Sequence, residues 1–552
     1  MPSDDARARL ADLRALLGSP WQEDNPLGFA RVLDADERAE VVADAEVALD
    51  RFALNAEFVP VAEGGRLARL DDLVEVMREV YRRDGSLGLG YGASSLIAAV
   101  NVWTAADAAQ RAEVAKVLLA NRKIACAYHE LDHGNDMAGT EFAAVPADRG
   151  FLLTGRKEVV TNVQRADALV VLARTEPGRG PRTHSQLLVD KAGLPADGFS
   201  YLPRFDSTGL RGVQLGGIRF DDCPVAADAV LGTRGHGLET AIRSFQVTRL
   251  GLPAMATGLL DTALRATLRH VRPRVLGGRS VADIPHVRAV LAGVFADLLM
   301  CEVFAAVAAR ALHLLPGEGA VLAPAVKYGV STVLMPAMER LGVVLGAHSY
   351  LRTNVVEKLL RDIKPVAFAH VARAACQSTI LPQLPTAARR SWRTGAEPPP
   401  GLFDLDADLP PLDFDRFTVS TSGRDHIAPA IAADRTDPLL THFAAELDAL
   451  TGEVSALHPS DVGLQAAPEA YDLVDRYVRV VMASSCAGVW RAASDGFLAD
   501  PAWLTAVLIR LRARTERDAA ELPATVEERL LSELFARDDR GVGFGVAADP
   551  TA

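Results

Sequence analysis

The sequence predicts a mostly α-helical protein with a small β-domain set between helical regions. Two observations carry this. Residues 124–175 contain short β-type runs, Phe142–Val145, Phe151–Thr154 and Ala168–Ala173, separated by Gly, Asp and Asn turn chemistry. Ala- and Leu-rich stretches with helical periodicity lie on both sides of it. At 552 residues the chain is too long for one core. It divides into a helical N-terminal domain (1–122), a barrel-like middle β-domain (123–235), a four-helix bundle (236–380), a Pro/Asp-rich linker (381–424) and a helical C-terminal extension (425–552).

The elements follow in order. A periodic apolar pattern from Asp34 to Leu54 predicts a helix. A second spans Leu67–Tyr81, with Leu70, Leu73, Val74, Met77 and Val80 on one face. Gly85–Trp103 is Gly- and Ser-rich, then apolar, as a segment buried or beside a ligand would be. Residues 143–153 read as a hairpin turning at Pro146–Gly150, and Gln186–Asp190 and Gly217–Phe220 supply further strands. Four segments of similar length, Leu238–His270, Ile284–Leu315, Leu322–Leu345 and Asn354–Cys376, predict an antiparallel bundle. Pro382, Pro385, Glu397–Pro400 and Asp404–Pro411 predict extended or irregular chain. Leu473–Ala492 returns to helical spacing and reads as core.

Bulk properties narrow the function classes. The net charge is −12 and the basic residues are scattered, which argues against nucleic-acid binding. The five cysteines are far apart and form no C-x-x-C pair, so no zinc site, other metal site or disulfide framework is expected, and a reducing cytoplasm fits best. The N-terminus lacks the apolar core of a signal peptide. No membrane span is expected, because the most apolar stretch, Val290–Leu315, is broken by Asp297, Glu302 and Arg310.

Specific motifs then point further. His129-Glu-Leu-Asp-His-Gly134-Asn135-Asp136 is followed by Gly155-Arg-Lys157-Glu-Val159-Val-Thr161-Asn162. Further on come Gly209-Leu-Arg-Gly212, Gly217-Ile-Arg-Phe-Asp-Asp-Cys-Pro-Val225 and Val247-Thr-Arg249-Leu-Gly251. In this order the set resembles the acyl-CoA dehydrogenase family over roughly Leu67 to Cys376. The resemblance implies that family's fold, an FAD cofactor and an acyl thioester substrate, borne on CoA or a carrier protein. It also implies a homodimer or homotetramer, with a hetero-oligomer as the other arrangement. By alignment, His129, Gly134, Asn135, Val159 and Thr161 fall at flavin-binding positions. His129 replaces the family's Thr, Asn135 its Ser, and Val159 the Trp that shields the ring. Arg272, Arg274 and Gly346 match the positions that contact a neighbouring subunit's flavin, with Arg272 or Arg274 receiving the pyrophosphate.

Dehydrogenation of a thioester needs a polarised carbonyl, a base for the α-proton and an acceptor for the β-hydride. By the resemblance, the family's usual base is a Glu nine residues after the Arg of an R-D-A-K segment. Here that segment is Arg361-Asp-Ile-Lys364, and the ninth residue is His370. Some relatives carry the base just before the family's helix Arg, where this chain has Thr248, which is no base. His370 is thus the candidate catalytic residue, since imidazole titrates near neutral pH. A hydrogen-bonded helix histidine is the competing reading of the same residue. The vacant Glu positions keep three functions open: a dehydrogenase with a substitute base, a flavin monooxygenase on the same fold, and a non-catalytic subunit of a hetero-oligomer.

Overall fold

The computed structural model describes the chain except residues 179, 434, 464, 515–520 and 549–552. Helices Asp4–Leu17, Phe29–Glu37, Ala43–Phe52, Leu70–Arg83, Ser94–Ala105 and Ala108–Leu119 form the N-terminal region. The helix expected over 34–54 is two helices, because Ala39 turns into the left-handed region at φ 55° between them.

Strands β1 (Ile124–Ala127), β2 (Ala143–Ala147), β3 (Gly150–Thr161), β4 (Ala168–Arg174), β5 (His184–Asp190), β6 (Phe199–Leu202) and β7 (Leu215–Ala226) build one sheet. Its order is β1-β4-β2-β3-β7-β6, with β5 also pairing β4. The hairpin expected at Pro146–Gly150 is present, with Ala147 opposite Gly150. Gly150 sits at φ 148°, where a Cβ would meet the Val225 carbonyl oxygen at 2.1 Å.

The uninterrupted apolar run of β4 has a structural cause. Ala168, Val170 and Leu172 pack into the helical core, while Leu169, Val171 and Ala173 pack into a separate core inside the sheet. Alternate side chains of one strand therefore weld the β-domain to the helices.

The first three bundle helices are Gly237–Val271, Pro285–Leu314 and Gly319–Leu345, close to expectation. Asp297, Glu302 and Arg310 in the second are buried and paired. Asp297 meets Arg340 and Arg510, Glu302 meets Arg78, and Arg310 donates to the carbonyls of Gly401 and Ala407. That helix and the 316–350 stretch are long and apolar enough to cross a membrane by length and composition. The most apolar window of the second helix is 94% buried against the rest of the chain.

The fourth segment is not one helix. It runs Val355–Asp362, then a 3-10 turn Lys364–Ala367, then a break, then Arg373–Ile380. Pro365 lacks an amide hydrogen and disfavours helix in the residue before it.

The Arg361-Asp362 pair anchors this segment. Buried Lys358 donates to Asp84 at 2.6 Å and also to Asp362, which accepts the Leu210 amide at 2.6 Å. A Cβ on Gly209 would meet the Arg361 carbonyl oxygen at 2.2 Å. Gly209→Ala is therefore expected to cost about 1–3 kcal/mol in urea unfolding, the penalty of overpacking.

The 381–424 region is a strap rather than a free linker. It includes helices Leu384–Arg389 and Ser391–Thr394 and buries Trp392, Leu402, Leu405, Phe414 and Phe417. Helices Pro438–Ser455, Pro468–Ala492, Pro501–Arg512 and Ala524–Arg540 complete the extension.

Candidate active site

His370 lies in the break of the fourth segment, not on a helix, with φ 68°. Four contacts fix the turn around it. Its Nε2 is 2.8 Å from the Thr248 hydroxyl of the first bundle helix. The Phe245 ring, one turn earlier, meets it edge-on at 4.5 Å. Lys327 of the third bundle helix donates to the Ala369 carbonyl at 2.9 Å. The Ala372 amide donates to Asn135 Oδ1 at 3.1 Å, which ties the turn to the β-domain.

The surroundings are cationic. Arg249 and Lys327 are buried, and the Nε of Arg249 has no partner. Among the described residues, neither forms an ion pair with a carboxylate, and the titratable acid acting on both is the Cys376 thiol. Burial lowers Lys327 to about 8. Burial pushes the Cys376 thiol up to about 11 despite both cations. His370 is driven well below its ordinary value by burial, and further by Arg249, Lys327 and His129. His129 is also lowered, by burial and then by Lys157. Both histidines are neutral at pH 7.

The flavin-aligned residues divide into two groups. His129 and Val159 face each other across an isolated bridge, with the Glu158 amide donating to the His129 carbonyl at 3.0 Å. The Thr161 hydroxyl is neither hydrogen-bonded to a described residue nor buried away from solvent. Next to it Asn162, at φ 59°, donates to Ser94 Oγ at 2.9 Å and leaves a buried Oδ1 unpartnered. Asn135 adopts φ 63°, and Gly134 is exposed with open space around it. His129, Asn135 and His370 therefore come together at the junction of sheet and bundle. Glu130 and Lys157 have a structural role. Lys157 donates to Glu130 at 2.8 Å and to the Tyr128 carbonyl at 3.1 Å.

Arg272, Arg274 and Gly346 do not join them within one chain. Arg272 pairs with Asp538 at 2.6 Å and Asp539 at 2.8 Å on the last helix. Arg274 donates to His270 Nε2 at 3.1 Å beside the exposed hairpin residues Val275 and Leu276. Gly346, at φ 57°, is the exposed cap of the third bundle helix. His270 lies 22 residues beyond Thr248, about 33 Å further along the helix at 1.5 Å per residue.

A cavity of about 860 Å³ opens between the β-domain and the first bundle helix, lined by Asp136, Gly139, Arg174, Arg182, Leu238 and Ile242 among others. Ile242 is one turn before Phe245 on that helix, and His370 itself does not line the cavity. Val419 of the strap also lines it. Sequence reasoning set Thr248 aside and did not single out Phe245 or Lys327. Thr248 carried the one signal that could have found it, its place beside Arg249. Lys327 carried none, being 42 residues from the carbonyl it holds.

Two family models match: the acyl-CoA dehydrogenase middle domain over residues 125–223, and the acyl-CoA dehydrogenase C-terminal domain over residues 235–370. Mitochondrial isovaleryl-CoA dehydrogenase of Oryza sativa subsp. japonica is 27% identical over 289 residues, 52% of this chain and 70% of that protein. Butyryl-CoA dehydrogenase from Megasphaera elsdenii superposes with TM-score 0.63 at 20% identity, covering 69% of this chain and 98% of that one. The prolyl acyl carrier protein oxidase AnaB superposes with TM-score 0.61 at 17% identity, covering 69% and 98%. Over residues 125–223 and 235–370, its β-domain and helical bundle, the chain is thus built from the middle and C-terminal domains of the acyl-CoA dehydrogenase family.

Proposed function

We propose that this chain uses FAD to dehydrogenate an acyl thioester, carried on CoA or on a carrier protein, between its α- and β-carbons, with His370 taking the α-proton. The observation that carries the reading is His370 itself. It is a neutral imidazole on a turn pinned by Thr248, Lys327 and Asn135, at the junction of the β-domain and the bundle.

Removing the α-proton places negative charge on the thioester oxygen. Arg249 and Lys327, buried without a carboxylate, make the local potential positive and favour that charge. When bound, FAD supplies the acceptor for the β-hydride. The Thr161 hydroxyl, open and unpaired among the described residues, is suited to a flavin ring, with Val159 on the same strand and His129 opposite Val159. The pyrophosphate end is not matched inside one chain, because Arg272 is neutralised by Asp538 and Asp539. A second copy presenting Arg274 beside the exposed Val275 and Leu276 would complete it. The names of the relatives, an isovaleryl-CoA dehydrogenase and a prolyl acyl carrier protein oxidase, support both carriers.

The test is spectroscopic. The purified protein is expected to show a flavin spectrum, bleached by a short-chain acyl-CoA or acyl-carrier protein without air. No flavin binding even after FAD addition would sink the reading. Substrate-dependent oxygen uptake by the reduced protein, without anaerobic bleaching, would assign it to monooxygenation instead.

A further inference from the structure

We propose that Thr248 is a positioning residue for His370: it holds the imidazole by Nε2 and leaves Nδ1 as the nitrogen that accepts the substrate proton. The proposal rests on the dehydrogenase reading above.

Thr248 is 0% exposed, so it cannot touch a substrate and acts only through the ring. Its hydroxyl is 2.8 Å from Nε2. Nδ1 has no partner among the described residues, yet it is not a buried atom, so it is the ring nitrogen that keeps access to solvent. The hydroxyl proton has its own acceptor, the Phe245 carbonyl at 3.4 Å. With that proton turned along the helix, the hydroxyl oxygen accepts from Nε2–H. Neutral imidazole carries one hydrogen, so this tautomer places the lone pair on Nδ1.

The ring has few other orientations. Phe245 packs edge-on against it at 4.5 Å. The backbone of His370 is left-handed, a region that costs a residue with a Cβ free energy to occupy. Such a conformation persists where its surroundings over-determine it. Here the Lys327 bond to Ala369 and the Ala372 bond to Asn135 clamp the residues on either side.

The proton balance is simple. The α-carbon gives its proton to Nδ1, and the electron pair of that C–H bond forms the new double bond as the β-carbon gives up a hydride, for which bound FAD would supply the acceptor. The resulting imidazolium keeps its Nε2–H bond to Thr248. The groups facing the ring are Arg249 from the first bundle helix, Lys327 from the third and His129 from the β-domain. None is an anion, so the imidazolium is held only by the Thr248 bond and returns its proton readily once product leaves.

Thr248→Val removes the hydroxyl while keeping the shape, and Thr248→Ser keeps the hydroxyl. Thr248→Val is expected to load flavin normally and to lose about 10²-fold in kcat, the scale of a misplaced catalytic group, with KM little changed. Thr248→Ser is expected to recover most of that loss. In ¹⁵N-histidine-labelled protein, with His370 assigned by difference against His370→Gln, the Nε2–H tautomer is expected. Wild-type kcat and pH–rate profile in Thr248→Val would overturn the proposal, as would an Nδ1–H tautomer in the wild-type protein, a measurement that needs no variant of Thr248. Full activity in His370→Gln would instead overturn His370 as the base, while the tautomer measurement still judges Thr248.

Discussion

His370→Gln is expected to leave a folded, flavin-loaded protein whose kcat falls about 10²–10⁴-fold, the usual contribution of a general base. The residue sits in a turn rather than a helix, and two of the four contacts that fix the turn, at Ala369 and Ala372, do not involve its ring. Glutamine should therefore keep the turn while losing the base. The pH profile gives a second check. The ring is held well below its ordinary value by burial and then by Arg249, Lys327 and His129. A base works above its folded pKa, so the wild-type rate should stay level as pH falls through 6.5 and drop only in more acidic solution. The stability effect has a defined sign. Below about pH 6.5 the unfolded chain binds a proton that the folded ring refuses, so stability falls as pH drops through that point toward the folded pKa. His370→Gln should remove this part of the acid sensitivity, read by thermal melts from pH 7 to 5.

Asp297→Asn is expected to be among the most destabilising single changes, about 3–5 kcal/mol, the cost of breaking a buried ion pair and stranding its partner. Asp297 is completely buried on the second bundle helix. It accepts from Arg510 Nε at 2.8 Å and from Arg340 at 3.0 Å, with Arg514 at 3.9 Å. Arg510 lies on Pro501–Arg512, so this carboxylate staples the C-terminal extension to the bundle. Denaturant unfolding should report the loss, and limited proteolysis should cut first near the released helix. Unchanged stability and proteolysis would refute the staple. Burial alone would raise the Asp297 carboxyl, but Arg510, Arg514 and Arg340 outweigh it and hold the group below its ordinary range. The stabilisation is thus present above about pH 3.9, the unfolded value, and is lost as pH falls through the folded one. The asparagine variant should lack that acid transition.

Much of the fold was legible because it rests on local periodicity. The alternation around Phe151–Thr154 and the long apolar stripes of 238–345 place strands and helices without reference to partners. The break at His370 was not legible. Residues 354–376 have helical spacing, and what ends the helix is Pro365 together with Lys327 and Asn135, which arrive from 42 and 237 residues away. The burial of the 381–424 strap was not legible for a similar reason. Its prolines signal irregular chain, but whether Trp392 and Phe417 are buried depends on the helices they meet.

The candidate site divides along the same line. The family resemblance implies His370 by its spacing after Arg361, and His129, Asn135 and Thr161 by motif order. Their convergence is tertiary. So is the separation of Arg272, whose charge is taken by Asp538 and Asp539 on a helix the motifs do not include. By itself the sequence determined most of the segments that form helices or strands and the residue types at the family-aligned positions, since both are properties of neighbours in the chain. Only the tertiary structure decided that Thr248 holds His370, that Arg249 and Lys327 stand near it without a carboxylate, and which ring nitrogen stays open. Hydrogen bonds and charges act over a few ångströms of space, and that proximity is set by packing between segments far apart in sequence.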